Sequence, residues 1–486
     1  MKRTETDILV TGGGIAGMIS SLVFAREGFN VICVDAAPEP NATTPNDLRS
    51  TAFLMPSIQL MRDAGIFTGL EDIAAPLKTM RIVDAGGPDL IPRQTVDFDA
   101  SDANESQFGW NIPNAPLRAK LSAQIDSNPQ ISMIYGDTVE AMTTRLTGAI
   151  VRLASGAQIG AHLVVAADGR QSRLRDLARI GVTTMRYGQK ALVFQVSHQE
   201  PHDSISTEVH HTGGPFTLVP LAGHDQKRSA VVWMTGGADA DRYFHLSDPA
   251  FEDALNTRSA NVMGRLNLTS ERGIWPIISQ FADRLTGEKL ALIGEAAHVV
   301  PPIGAQGLNM SLADIACLRD LISDVDARDQ IGSDHILDAY QRKRWPDMRI
   351  RVQGIDALNR ASIATSAPLR NTRASLLALL GQTSALRLIG FQYMNPYPGA
   401  SAHVGDIATF AEIGLRKTGI GRAMFEETKR QAREKGFRKI TARIRGDNTD
   451  GRAYYPKMGF REVGIYKDHT RIDGKFVDQV LTEYLL

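Results

Sequence analysis

Cysteine is scarce: Cys33 and Cys317 are the two in a chain of 486 residues. They cannot make a disulfide framework, and with no CxxC or Cys/His cluster there is no zinc-site spacing. No metal ligand set is expected. The reducing cytoplasm is the natural compartment. Net charge is missing as well. The 54 Lys and Arg are balanced by 54 Asp and Glu, so the strong cationic field of a nucleic-acid binder is absent, which still leaves room for a local basic patch. No apolar run approaches the ~20 residues that a membrane-crossing helix needs. Met1–Asp7 is polar and leads directly into a strand, so no signal-peptide core is expected there. Repeats and low-complexity tracts are also absent. What remains, 43% hydrophobic and 22% charged, is the ordinary mixture of a globular protein with two or three domains.

The clearest signal lies in the first 35 residues. Asp7–Val10 is a short apolar strand, a glycine cluster follows, and a helical pattern runs from Ile15 to Glu27. Gly28-Phe29-Asn30 ends that helix, and Val31–Asp35 is a second strand. This is a βαβ unit and implies a parallel sheet. Gly12, Gly14, Ile15, Ala16 and Gly17 fit G-x-G-x-x-G. The match stands between a strand and a helix and is answered by Asp35, which is the context the motif requires. Gly12 permits the tight turn, Gly14 lets backbone approach a pyrophosphate, and Gly17 lets helix and strand pack closely. The helix N-terminus offers free N–H groups and a positive partial charge to phosphates. Asp35 can accept from ribose hydroxyls. An acid there disfavours a 2′-phosphate, so the site suits FAD or NAD and not NADP.

Further along, Thr79–Asn111 reads as strands and loops, Leu117–Ile125 as a helix and Ala161–Ala167 as a buried strand. Ala191–Val196, Ser206–His211, Phe216–Pro220 and Ala230–Met234 alternate like an antiparallel sheet. Leu290–Ile293 returns to the parallel-strand pattern, and helices are expected from Ser311 to about Leu388. Phe391–Ala400 is dense in Pro, Gly and aromatics and is the candidate linker, centred on 396–401. The tail then reads strand (Val404–Phe410), helix (Gly421–Lys435), strand (Lys439–Arg445), helix (Gly451–Met458) and strands to the end.

Two later segments decide which dinucleotide is bound. Val164–Arg175 is a strand running into the turn Asp168-Gly169; Ala291–Met310 is a strand, a glycine-rich loop and a helix start. With the N-terminal fingerprint, these resemble the three signature motifs of the single-component FAD-dependent aromatic hydroxylases, in the same order, over residues 5–395. Asp47–Ala52, Phe108–Asn114, Gly213–Phe216 and Val299–Ala313 are most similar to the ubiquinone-biosynthesis hydroxylases of the UbiH/UbiF/UbiL type. The implied fold is α/β: a Rossmann-like FAD-binding domain (about 1–80, 100–180 and 285–395) with an inserted, mostly antiparallel β substrate subdomain (about 80–100 and 181–284) and C-terminal helices.

The resemblance also implies roles. Asp35 would bind the adenosine ribose, and Arg49 would sit near the pyrophosphate. Asp168 and Gly169 would lie where FAD and a transient nicotinamide cofactor both approach. The loop carrying Gly304, Gly307, Leu308 and Asn309 would place N–H groups against the flavin pyrimidine edge, with Pro302 close to the ring. The family usually has Asp on the ribityl chain where this sequence has Glu295. The implied reaction uses NAD(P)H to reduce FAD. O₂ then forms a flavin C4a-hydroperoxide, which hydroxylates an electron-rich ring, such as a polyprenylated phenol of ubiquinone biosynthesis. His298 follows Glu295 in a motif and is a candidate acid–base residue, with a structural hydrogen-bonding role as the alternative. His210 and His211 end a strand that could face the ring, and one of them must point away. Trp233, Trp275 and Cys33 read as core. Leu376–Leu380 and Leu386–Phe391 are apolar and fit a membrane surface, partner subunits or a packed core. Peripheral attachment at the inner membrane face, a biosynthetic complex and a homo-oligomer all stay open.

The tail resembles the C-terminal half of a GNAT-type acetyltransferase, a partial α/β domain over 402–486. Arg416, Thr418, Gly419 and Gly421 fit R-x-x-G-x-G between a strand and a helix, where acetyl-CoA would be held. Asn448 would lie near that cofactor and Tyr455 would protonate the leaving thiolate. The strands and helices that should precede Val404 are not recognised, which favours a non-catalytic remnant over a CoA-binding module or a domain completed by another chain. Three readings therefore compete: a hydroxylase of a ubiquinone precursor, a related flavin enzyme on another small aromatic or an alkene, and an acyl-transfer or CoA-binding protein with a flavoprotein scaffold.

Overall fold

The computed structural model describes residues 3–39, 47–85, 91–103, 105–211, 214–363, 390–396, 404–411, 420–434, 436–472 and 475–486. The chain divides into two units, Met1–Ser375 and Leu376–Leu486.

The first unit is built on a parallel sheet. Thr4–Thr11 pairs with Val31–Asp35 on one side and Gln158–Ala166 on the other. Beyond these lie Ile131–Tyr135 and Leu290–Leu292, all parallel. An antiparallel hairpin, Val139–Arg145 and Gly148–Leu153, joins the first half of Gln158–Ala166. Ile8–Val10, Val31–Val34 and Leu163–Ala166 are almost fully buried. Such uninterrupted apolar runs are what strands covered on both faces require. The helix Ile15–Arg26 covers this sheet and is buried from Gly17 to Ala25 with no polar face, as expected of a helix enclosed within a core.

A second, nine-stranded sheet packs its strands mostly antiparallel. It takes in Thr79–Asp84, Gln94–Asp99, Val182–His198, Ile205–His210, Pro215–Pro220, Arg228–Gly236 and Gly273–Ala282. The alternation expected over 191–234 falls inside these strands. Three short strands, Ser50–Leu54, Gly109–Pro113 and Ala75–Leu77, form a small third sheet. The helices Gln306–Ser323 and Asp334–Ile363 follow, the latter continuing through Pro346. Among the described residues no helix is long and apolar enough to cross a membrane. Leu376–Leu380 and the stretch before Gly390 lie outside them.

The second unit has a five-stranded sheet in the order Gly390–Pro396, Val404–Ala411, Lys439–Arg445, Lys475–Leu485, Arg461–Ile472. Val404–Ala411 and Lys439–Arg445 are parallel, joined through the helix Ile420–Glu434. Gly390–Pro396 pairs antiparallel with Val404–Ala411. The first half of the Pro- and aromatic-rich stretch is thus a strand of the tail's own sheet, and 397–401 of the expected linker lie outside the described residues. That strand covers the edge of Val404–Ala411 that would otherwise be open to pairing with another chain.

Candidate active site

The first unit brings its motifs together through strand order. Leu290–Leu292, Gln158–Ala166, Thr4–Thr11 and Val31–Asp35 are neighbours in the sheet. Gly294, Asp168, Gly12 and Asp35 therefore stand at the carboxyl ends of four adjacent parallel strands. That rim is where ligands bind in open α/β sheets.

The glycine turn is held tightly on its protein side. Gly12 has φ +96°, and a Cβ there would lie 2.3 Å from the Ala167 carbonyl oxygen. A Cβ on Gly17 would lie 1.8 Å from the Gly12 oxygen. Gly13, which the sequence reading passed over, lies against the Asp35 carboxylate, where a Cβ would come within 2.5 Å of Oδ2. Gly14 differs: it is the N-cap of the helix Ile15–Arg26, no side chain caps it, and a Cβ there would meet nothing within 4 Å. The open side of the turn thus carries uncapped helix N–H groups, the arrangement that binds phosphates. Asp35 Oδ1 accepts from the Ala37 N–H at 3.1 Å.

Asp168 Oδ2 accepts from the Leu174 N–H at 3.3 Å, while Oδ1 is buried without a partner among the described residues. Burial pushes its carboxyl above the ordinary range, and hydrogen bonds from Ser172 and backbone N–H groups offset only part of that. Gly169 has φ +82° and open space where a Cβ would be. Ser172 caps the short helix Arg173–Leu177, its oxygen accepting from the Arg175 N–H.

Arg49 is gripped by Asp47. Its Nε and Nη2 donate to the two carboxylate oxygens at 2.8 Å each, and its guanidinium lies 5.5 Å from the Trp275 ring centre. Burial raises the Asp47 carboxyl, but the bonds and charge of Arg49 outweigh it and hold it low. Glu295 lies half-exposed in the 3₁₀ turn Gly294–Ala296, and its Oε2 accepts from Arg170 Nε at 3.3 Å.

A second uncapped helix N-terminus belongs to Gln306–Ser323. Its N-cap, Ala305, is left-handed at φ 56°. Pro302, Gly304 and Gly307 are exposed in front of it, with Leu308 half-buried. A Cβ on Gly304 or Gly307 would meet nothing within 4 Å. The side chain of Asn309 is turned inward. It is 8% exposed; its Oδ1 accepts from the Leu54 N–H (2.8 Å) and the Ser57 hydroxyl (2.7 Å), and its Nδ2 donates to the carbonyls of Ala52 (2.8 Å) and Ala305 (2.5 Å). With four internal bonds, the side chain braces the loop against the third sheet rather than facing a ligand.

His298 has the surroundings of its structural alternative. It is 2% exposed, and its Nε2 lies 2.7 Å from Asp314 Oδ2. Asp314 also accepts from Arg344 Nε (2.9 Å) and the Gly294 N–H (3.2 Å). Burial raises the Asp314 carboxyl, but the charges and hydrogen bonds of His298 and Arg344 overcome it and leave it low. Such a group ties the helix to the strand-end turn, while His298 Nδ1 is buried without a partner among the described residues. An acid on an otherwise apolar helix face was the signal in the sequence.

In the tail, Arg416, Thr418 and Gly419 lie outside the described residues, and Gly421 is the second residue of the helix Ile420–Glu434. Asn448 Oδ1 accepts from the Gly451 N–H at 2.8 Å and so caps its own helix. Tyr455 is 7% exposed, its ring 5.1 Å from that of Phe460.

The FAD binding domain family model matches residues 5–353, well over half of the chain. The chain belongs to this family. The ubiquinone hydroxylase UbiL of Rhodospirillum rubrum is 28% identical over 372 residues, covering 76% of this chain and 84% of that protein. The 3-demethoxyubiquinol 3-hydroxylase of Escherichia coli is 23% identical over 398 residues, 81% of this chain and 99% of its own. Among solved structures, Pseudomonas aeruginosa PqsL in complex with 2-aminobenzoylacetate is similar with a TM-score of 0.65 at 22% identity, covering 77% of this chain and all of that one. The acetyltransferase (GNAT) family model matches residues 353–460. That match begins upstream of residue 402 and takes in the strand Gly390–Pro396.

Proposed function

We propose that the first unit is an FAD-dependent monooxygenase that uses NAD(P)H and O₂ to hydroxylate an aromatic ring, a prenylated phenol on the route to ubiquinone. The observation that carries the cofactor is the strand-end rim: Gly12, Asp35, Asp168 and Gly294 converge there beside uncapped helix N-termini and open glycine cradles. The substrate class is supported by likeness to ubiquinone hydroxylases. Bound FAD would supply the redox chemistry, taking a hydride equivalent from the nicotinamide and activating O₂.

The protein's own residues do the rest. The Gly12–Gly14 turn and the first helix receive the pyrophosphate, with Arg49 nearby. Asp35 would accept from the adenosine ribose, and Glu295 would hold the ribityl chain. The Gly304–Leu308 backbone, braced by Asn309, would hold the flavin edge, with Pro302 beside it. Asp168 and Gly169 edge the same cleft. Water must be kept from the reacting oxygen and the ring held in line.

The proposed setting is the cytoplasm, with peripheral contact at the membrane where prenylated phenols reside. The tail is read as non-catalytic, because Tyr455 is buried among aromatic rings and the Asn448 oxygen serves as a helix cap. Full-length protein given FAD, NADPH or NADH, isotopically heavy O₂ and 2-geranylphenol should yield a product carrying one heavy oxygen. Nicotinamide oxidation without incorporation into any phenol tested would contradict the reading. Acetyl transfer from acetyl-CoA to amines would contradict the account of the tail.

A further inference from the structure

The two faces of the nine-stranded sheet differ. One carries Leu192, Phe194, Val209, Phe216 and Trp233, sealed into a separate core by the helices Gly237–Phe244 and Asp248–Arg258. The other carries Ala191 and Met234, which belong to the core of the FAD-binding layers. Strand alternation and register put Ile82, Glu208, Thr217 and Val232 side by side on this second face. Ile82, Thr217 and Val232 are only partly buried although they lie in the middle of the sheet. They are the part of this face that the core leaves incompletely covered, although Val232 also packs against the edge of that core.

At one end of this stretch is a polar pair. His210 Nε2 lies 2.7 Å from Glu208 Oε1, with side-chain exposures of 12% and 7%. His210 Nδ1 is buried without a partner among the described residues. A carboxylate only accepts, so the shared hydrogen sits on Nε2, and in the neutral imidazole Nδ1 presents a lone pair. A buried acceptor left dry is costly. The charged neighbours are already engaged: Asp84, paired with His210 in register, is bound by Arg93, and Arg258 donates from behind the other face to the carbonyls of Val209 and Gly214. His211 follows the last residue of the strand.

We propose that His210 receives the hydroxyl of the phenolic substrate and that Glu208 positions it, an assignment that rests on the hydroxylase reading above. Ile82 and Val232 beside one buried acceptor are complementary to an aromatic ring with one hydroxyl. The phenol O–H donates to Nδ1. On transfer the O–H bond breaks and an N–H bond forms, leaving a phenolate beside an imidazolium–carboxylate pair. No electrons are exchanged in this step, and the phenolate ring is more electron-rich toward an electrophilic oxygen.

The test titrates 2-geranylphenol and its methyl ether into FAD-loaded, full-length protein by calorimetry. The ether cannot donate. The wild type should bind the phenol about tenfold more tightly than the ether, the discrimination expected from one buried hydrogen bond. His210→Phe should erase that preference while leaving ether affinity within about twofold. Glu208→Ala should weaken the preference and Glu208→Gln, whose amide oxygen still accepts from Nε2–H, should restore it. Equal affinity for phenol and ether in the wild type overturns the assignment without needing any variant to fold. So does a folded His210→Phe that keeps the preference. A wild type that hydroxylates phenols but fails these tests defeats this inference alone; one that neither binds nor hydroxylates either probe defeats the hydroxylase reading with it.

Discussion

Asn309→Ala is the substitution whose effect follows most directly from the structure. The side chain makes four hydrogen bonds, to Leu54, Ser57, Ala52 and Ala305, and is 8% exposed. At ~1 kcal/mol for each bond lost, removal destabilises this junction by about 4 kcal/mol. The bonds join the Ser50–Leu54 strand to Ala305, the left-handed residue that starts the helix behind the flavin loop. Part of the loss should therefore appear as local opening of the loop and the rest as global destabilisation. If all of it were local, FAD binding would weaken by up to about a thousandfold. A rise in the FAD Kd of at least about tenfold, with a lowered Tm of the apoprotein, is expected. Isothermal titration with FAD and thermal melts read the two quantities separately. Asn309→Asp keeps the acceptors but sets a carboxylate against two carbonyl oxygens, so it should be no better than Ala. A variant with both FAD affinity and Tm unchanged would refute the bracing role.

Other expectations follow from the same geometry. Gly14→Val should leave the apoprotein melting as the wild type does, because a Cβ there meets no protein atom, yet it should lose FAD on gel filtration; Gly17→Ala should instead lower the Tm, since its Cβ falls 1.8 Å from the Gly12 oxygen. Asp314 is held low in the folded state by His298 and Arg344 against the upward push of burial, so it contributes stability above its unfolded pKa of about 3.9 that is lost as pH falls through the folded value. Asp314→Asn should flatten that acid limb in denaturant titrations and cost about 3–5 kcal/mol near neutral pH, by leaving Arg344 buried without its main partner. Asn448→Ala removes a helix cap and should destabilise the tail by about 1 kcal/mol in hydrogen exchange, leaving nicotinamide oxidation unchanged.

The parts of this fold that could be read in the sequence are those that rest on local patterns. Apolar runs marked the parallel strands, the glycines fixed the turn at Thr11, and alternation marked strands from 191 to 234. Lys439–Arg445 was placed to the residue because its period-two pattern is bounded by Gly436 and Gly446. The third sheet was not legible: its strands come from three separate segments of three to five residues, and no local period specifies their pairing. The bracing role of the Asn309 side chain was not legible, because its partners Leu54 and Ser57 lie more than 250 positions away. The triad of His298, Asp314 and Arg344 was half visible, through the histidine alone. Gly390–Pro396 was hidden by its own Pro, Tyr and Met content, which reads as a linker until a neighbouring strand edge is known. The strand ends at His210, and only its register shows that His210 shares a face with Glu208.

The central claim is that the strand-end rim of the first unit holds FAD and passes electrons to it from a nicotinamide. The most direct measurement is the near-ultraviolet and visible absorbance spectrum of the purified protein, supplied with FAD if needed, before and after anaerobic NADPH or NADH. The account predicts two flavin bands that bleach with the nicotinamide and return in air. A protein that stays colourless and takes up no added FAD would contradict it.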